Sequence, residues 1–374
     1  MEIKQYVTEQ TEEFNALLKR LAEIPSWTGG ERARAEFCLE WLKAAGYDDA
    51  YIDAAGSVIC GYDIRKGNNN SVIMAHLDTV FSAETDFTVT ERNGKLFCPG
   101  IGDNTVNAVG AMLLAEYVKK YAPAVNMGIY FVLSTGEEGL GNLIGSRTFT
   151  EAYRDRISSF TALDLYYDRV FTSCVGSIRY RITAKTLGGH SYLDFGRKNA
   201  IAILAELISR AYDGRFNMPH LTYNVGSIEG GQSVNSIAAN ASMLFEFRSD
   251  DSGAMNSASK LFAELAETLN DNETTVTVDV IGLRPCGEKV DPAGLERLYK
   301  CAFNAITGSG LPEPKAAAAS TDCNIPLSYS IPSTCFGVCS GGGAHTPGEW
   351  IDKDSNIRGM EVLLRYFYAY FVEE

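Results

Sequence analysis

The sequence predicts an α/β protein: a doubly covered mixed sheet interrupted by an inserted β-α-β-β-α-β, ferredoxin-like domain. Three observations predict it. Apolar runs of strand length, SVIMAH and MGIYFVLST, show no alternation and are separated by segments of helical period, the pattern of strands buried on both faces. Between residues 175 and 283 the strands alternate instead, as in SIRYRITAKT and TTVTVDVIG, which is how half-exposed strands read. After Arg284 the first style returns.

In chain order, the first ~45 residues read as two helices by apolar spacing, with Phe14, Leu17, Leu18 and Leu21 on one face and Phe37, Leu39 and Leu42 on the next. Short strands follow near Val58 and from Ser71 to His76. A helix from Asn104 to Tyr121 carries Val109, Met112, Leu113, Ala115 and Val118 on one stripe, and the strand MGIYFVLST comes after it. The insertion runs as the strand SIRYRITAKT, a helix from Asn199 to Tyr212, the strands LTYNVGSIEG and SIAANASMLFEFRS, a helix from Ala254 to Leu269 and the strand TTVTVDVIG. A last amphipathic helix spans Ile357 to Phe371. The reading is a discontinuous main domain, 1–174 and 284–374, and an inserted domain, 175–283, of the kind that caps a site or makes an interface.

Composition narrows the function classes. The chain has 374 residues, a length for two domains, with 45% hydrophobic and 21% charged residues, which excludes a disordered chain. Acids outnumber bases 47 to 33, for a net charge of −14, which argues against nucleic acid or an anionic membrane as partner. No window approaches the ~18 apolar residues of a membrane span. The start, MEIKQYVTEQTEEF, has no apolar run and predicts no signal peptide. Nine cysteines, an odd number without a C-x-x-C pair, read as buried free thiols in a reducing cytoplasm.

Four histidines are few enough to follow singly. His76 ends VIMAHLDTV, two residues before Asp78, which can approach its imidazole; a polar pair at a strand end is the alternative. Asp103 lies in PGIGDNTVNAVGAM between a glycine turn and a helix start, a place that also suits a plain N-cap. In FVLSTGEEGLGN an apolar strand points into Glu137 and Glu138, two carboxylates that repel unless a cation or a shared proton intervenes. A solvated loop is the plainer account. Asp164 closes the apolar run FTALD, and His345 follows three glycines in GGGAHTPGEW. His76, Asp103, Glu138, Asp164 and His345 are nitrogen and oxygen donors with no thiolate, which suits Zn²⁺ or a similar divalent ion. Five donors exceed the needs of one catalytic zinc, and two ions sharing a carboxylate, roughly 3.5–4 Å apart, fit the number.

The series HLDTV, GDNTVNAVGAM, STGEEG, ALD, GGHS and AHTPGEW, in this order, resembles the M20 metallopeptidases, a group with peptidase T, glutamate carboxypeptidases, carnosinase-type dipeptidases and acetylornithine-type deacylases. The resemblance covers essentially the whole chain. It implies two zinc ions, with Co²⁺ or Mn²⁺ as substitutes: His76 and Asp164 on one, Glu138 and His345 on the other, Asp103 bridging. It implies Glu137 as general base, Asp78 as partner of His76, and His190 in KTLGGHSYLDFG as the donor to the tetrahedral oxyanion, in its own subunit or the partner's. Asn235, Arg248 and Arg284 fall where relatives place substrate-binding groups, although either arginine could equally form a surface salt bridge. His220 matches no motif. GHSYLDFG departs from the GHAG-type run of many relatives, and Asp164 in place of glutamate points to the peptidase branches.

The implied activity is hydrolysis of short peptides, in the manner of peptidase T, by a cytoplasmic homodimer joined through the inserted domain. An N-acyl-amino-acid deacylase is the second reading, and a silent binding protein of the same fold the third. No G-x-G-x-x-G at a strand–helix junction, phosphate-binding loop or G-x-S-x-G elbow is present.

Overall fold

The computed structural model describes residues 3–287 and 289–372; Met1, Glu2, Glu288, Glu373 and Glu374 lie outside the described residues. The chain separates into two compact units, 1–174 with 288–374, and 175–287. The second unit ends later than the break read at Arg284, because the strand Thr275–Arg284 runs through that arginine and Cys286 packs into the unit's core.

The first unit is built on an eight-stranded sheet in the order Tyr51–Ile52, Val58–Tyr62, Gly128–Ser134, Asn70–His76, Ser159–Leu163, Ser333–Phe336, Arg169–Cys174, Lys315–Ala319. Asn70–His76 runs parallel to both its neighbours, while Val58–Tyr62 pairs antiparallel with Gly128–Ser134, so the sheet is mixed. Asn70–His76 and Gly128–Ser134 are buried at every residue. The pleat explains how: Ile73 and Ala75 enter one apolar cluster, Val72 and Met74 another on the opposite face. Helices cover both.

The N-terminal region has three helices where the spacing predicts two: Ile3–Glu9, Thr11–Ala22 and Arg32–Ala44. Phe14, Leu17, Leu18 and Leu21 are buried as read, but the third helix buries Arg34, Ala35, Cys38 and Leu42, leaving Phe37 and Leu39 half-covered. The helix read from Asn104 starts at Val106, after a π-helical turn over Ile101–Thr105. A small sheet of Gly341–Gly342, Trp350–Asp352, Lys95–Phe97 and Thr90–Arg92 ties the segment around His345 to the segment before Asp103. All nine cysteines are free, eight of them buried.

The second unit has a four-stranded antiparallel sheet in the order Leu221–Gly230, Asn240–Ser249, Gly176–Lys185, Thr275–Arg284. Ile178, Tyr180, Ile182 and Ala184 face the helices Ala200–Ala211 and Ser252–Glu267, and the residues between them point outward. The strand read over SIAANASMLFEFRS is two pieces: Ser236–Ile237 leaves the sheet to pair with Gly189–His190. Among the described residues no helix is long and apolar enough to cross a membrane.

Candidate metal centre

The parallel strands deliver their polar residues at the carboxyl ends, where the backbone leaves the sheet. His76 is the last residue of its strand, Glu137 and Glu138 lie just beyond Ser134, and Asp164 directly follows Leu163. Asp103 comes from the π-helical turn at the foot of the helix Val106–Tyr121, and His345 from the glycine loop after Gly342. His76, Asp103, Glu137, Glu138 and Asp164 are all at least nine-tenths buried, while the His345 side chain is half exposed.

Asp103 organises the cluster. Its Oδ1 lies 3.1 Å from His76 Nε2, and its Oδ2 lies 3.2 Å from His345 Nε2. Asp164 Oδ1 is 3.6 Å from His76 Nε2, and Glu138 Oε1 is 2.9 Å from His345 Nε2. Two overlapping donor groups result, His76–Asp103–Asp164 and Asp103–Glu138–His345, each with its ligand atoms within 4.8 Å of one another. A third group, His76–Glu137–Glu138, sets Glu137 within the same distance of His76 and Glu138. Asp103 does not cap the helix with its side chain, the plainer role open to it from sequence.

The charges show what the cluster can hold. Asp78, Asp103, Glu137, Glu138 and Asp164 are five buried carboxylates, and two imidazoles cannot neutralise them even when both are protonated. Burial opposes charge on His76, yet hydrogen bonds to Asp103, Asp164 and Asp78 hold its pKa well above the usual histidine range. His345 is pushed up to about 10 by its hydrogen bonds to Asp103 and Glu138. For Asp103, burial is outweighed by the two histidines, which keep its carboxyl far below the ordinary range, whereas burial raises Asp164. Each Nε2 therefore faces carboxylate oxygen across a gap that a proton or a cation can fill. Nitrogen and oxygen donors of this kind suit zinc or a similar divalent ion, which would displace those protons.

Asp78 partners His76, as expected, and does more besides. His76 Nδ1 donates to the Asp78 backbone carbonyl at 3.0 Å, and the Asp78 carboxylate is farther, at 3.4 Å. The strand ends at His76, so the i, i+2 alignment does not continue to residue 78. That carboxylate also accepts the backbone N–H groups of Glu137 (3.0 Å) and Glu138 (2.8 Å) and the Thr28 hydroxyl (2.9 Å). It fixes the tautomer of His76 through its carbonyl and the double-glutamate turn through its side chain.

Three supports escape the sequence reading. Glu349, fully buried, accepts the N–H groups of Gly100 (2.8 Å), Gly102 (2.7 Å) and Asp103 (2.7 Å), clamping the turn that carries Asp103; burial pushes its pKa up to about 7. Arg34, also fully buried, spans the carbonyls of Ile24 and Leu77 and the hydroxyl of Thr105. Asp322 accepts the Ser134 hydroxyl at 2.6 Å, and burial raises it to about 6. Glu349 had a signal, an acid four residues after His345 in a glycine-rich run. Arg34 and Asp322 had none, since an arginine in a helix reads as surface.

In the second unit, His190 is exposed on the short pairing with Ser236–Ile237. Asn235 accepts the Ser233 hydroxyl at its side chain and the Ser191 N–H at its carbonyl. Arg248 forms a 3.0 Å ion pair with Glu246, the surface bridge allowed from sequence, whereas Arg284 is buried. His220 is exposed, with Nδ1 2.9 Å from Asp250.

The model of peptidase family M20/M25/M40 matches residues 72–369. The chain belongs to that family, whose members are metal-dependent hydrolases. A succinyl-diaminopimelate desuccinylase of Paraburkholderia xenovorans (strain LB400) is 25% identical over 62% of this chain and 68% of its own length. The chain spans 61% to 68% of the first curated relatives it matches. Among solved structures, a tripeptidase of Staphylococcus aureus Mu50 superposes with a TM-score of 0.77 at 21% identity, over 96% of this chain and 98% of that one. The aminopeptidase PepT of Bacillus cereus ATCC 10987 gives 0.75 at 18% identity with the same coverage. These two show a shared fold.

Proposed function

We propose that this protein is a di-zinc hydrolase that cleaves the amide bond of short peptides, as an aminopeptidase or dipeptidase of the peptidase T kind. One observation carries the reading: Asp103 offers one carboxylate oxygen to each of two histidines, the arrangement a shared ligand requires. His76 and Asp164 would hold one ion, Glu138 and His345 the other, and Asp103 both. Bound there, two divalent ions supply Lewis-acid polarisation of the amide carbonyl and ease the ionisation of a water.

The chain's own residues then divide the work. Glu137 takes the proton of the attacking water and returns it to the leaving amine, a duty that needs a carboxylate free to exchange protons. The Asp78 carboxylate holds Glu137 and Glu138 by their backbone N–H groups, so the base and the ligand keep their relative positions. His190 donates a hydrogen bond to the developing oxyanion. Asn235 and Arg284 bind the substrate's polar ends, and Arg248, held in its ion pair with Glu246, is left out of that role. The second unit serves as lid and as the dimer interface of a cytoplasmic homodimer.

A deacylase of N-acyl amino acids is the second reading, favoured by the desuccinylase among the relatives. Zinc-loaded protein is assayed against di- and tripeptides beside N-acetyl and N-succinyl amino acids, with metal content measured in parallel. Turnover of peptides with two ions per chain is the expected result. Turnover of acyl substrates alone replaces the peptidase reading, and a protein holding well under two ions removes the shared-ligand reading.

A further inference from the structure

His190 is exposed, yet its ring is held from below by its own turn. The backbone N–H groups of Tyr192 and Leu193 both point at His190 Nδ1, at 3.2 and 3.3 Å. A ring nitrogen that accepts N–H donors carries no proton, so in the neutral imidazole the proton sits on Nε2. Asp194 closes the turn from both ends: its carboxylate Oδ2 accepts the His190 N–H at 2.7 Å, and its own N–H donates to the His190 carbonyl at 2.9 Å. Arg197 braces the carboxylate, with one guanidinium nitrogen 2.9 Å from Asp194 Oδ1 and the other donating to the Gly188 carbonyl at 3.1 Å. The carboxylate lies over Gly189, whose φ is +149°, and a Cβ there would come within 2.7 Å of Asp194 Oδ2.

We propose that Asp194 is a positioning residue, whose turn fixes the His190 tautomer that carries its proton on Nε2, a preset hydrogen-bond donor pointing away from the turn. The catalytic consequence rests on the reading of His190 as oxyanion donor given above; the tautomer does not. His220, in the same unit, supplies a contrast, since its Nδ1 lies 2.9 Å from the Asp250 carboxylate and not against backbone N–H donors. Within GHSYLDFG, Tyr192 and Leu193 thus carry the two N–H donors and Asp194 the carboxylate that closes the turn.

The test uses full-length protein labelled with ¹⁵N at histidine. With four histidines, His190 is assigned by the signals lost in H190A. The expected spectrum has His190 Nδ1 as an unprotonated, pyridine-type nitrogen and Nε2 as a protonated, pyrrole-type one. D194A should move His190 toward the averaged values of free histidine while the His220 signals stay, which shows an intact unit. D194N keeps an oxygen acceptor for the His190 N–H and should retain the wild-type signature. In kinetics, D194A should lower kcat about tenfold with KM and metal content within about twofold, and D194N should recover most of it. A protonated Nδ1 in the wild type, or a signature unmoved in D194A, overturns the proposal. Full kcat in H190A would instead overturn the oxyanion reading and leave the tautomer standing.

Discussion

In the first unit the strands Asn70–His76 and Gly128–Ser134 are buried along their whole length; in the second, Gly176–Lys185 buries alternate residues and turns the others outward. A sheet covered on both faces can show polar groups only where its strands stop. His76, Glu137, Glu138 and Asp164 accordingly gather at strand ends, deep and close together. A sheet covered on one face has an open side and exposed hairpins, and there His190 is exposed, its ring held by backbone N–H groups and its own backbone by the single carboxylate of Asp194. The difference teaches that charge density follows sheet coverage: the first unit concentrates anions until only cations can balance them, while the second presents single donors.

Four experiments break or sharpen that contrast. Glu137→Gln should cost about 10⁴-fold in kcat, equivalent to about 5.5 kcal/mol, with two ions still bound; wild-type turnover in this variant would remove the assigned base. Phe262→Ala attacks the second unit alone. Its ring is fully buried and stacks on Phe245 at 4.5 Å, so the loss should be about 4 kcal/mol in that unit's unfolding transition, read by calorimetry, with metal content unchanged. Stripping divalent ions should do the reverse, withdrawing about 2.7 kcal/mol from the first unit relative to metal at a hundred times its Kd. A fall in the second unit's transition instead would break the contrast. Glu349→Gln should weaken metal binding about 10- to 100-fold by titration calorimetry, because an amide nitrogen would then face backbone N–H groups that now meet only oxygen. Unchanged affinity would mean that Asp103 needs no clamp.

Much of this was legible in the sequence because periodicity and order survive in one dimension. Continuous apolar runs reported the doubly covered sheet, alternation reported the one-faced sheet, and six ordered motifs picked out the five donors that the fold gathers. What failed was whatever depends on three-dimensional direction. Counting by twos brought Asp78 to His76, whose Nδ1 its carboxylate approaches to 3.4 Å, but could not show that the same carboxylate also takes the N–H groups of Glu137 and Glu138. Arg34 reads as a surface helix residue until the carbonyls of Ile24 and Leu77, far apart in sequence, converge on it. The break between the first two helices, between Glu9 and Thr11, left no mark in apolar spacing.

The position of Ser333–Phe336 has a consequence for synthesis. This strand lies between Ser159–Leu163 and Arg169–Cys174, near the middle of a sheet whose other central strands are made more than 150 residues earlier. At translation rates of about 5–20 residues per second, the four-stranded unit is complete once Gly287 has emerged, while the large sheet still waits for two strands, Lys315–Ala319 and Ser333–Phe336, and for His345. The chain therefore finishes its second unit first. The five-donor cluster closes among the last events of folding, and a ribosome-bound chain cut short before residue 345 should hold a folded inner unit and no complete ion site.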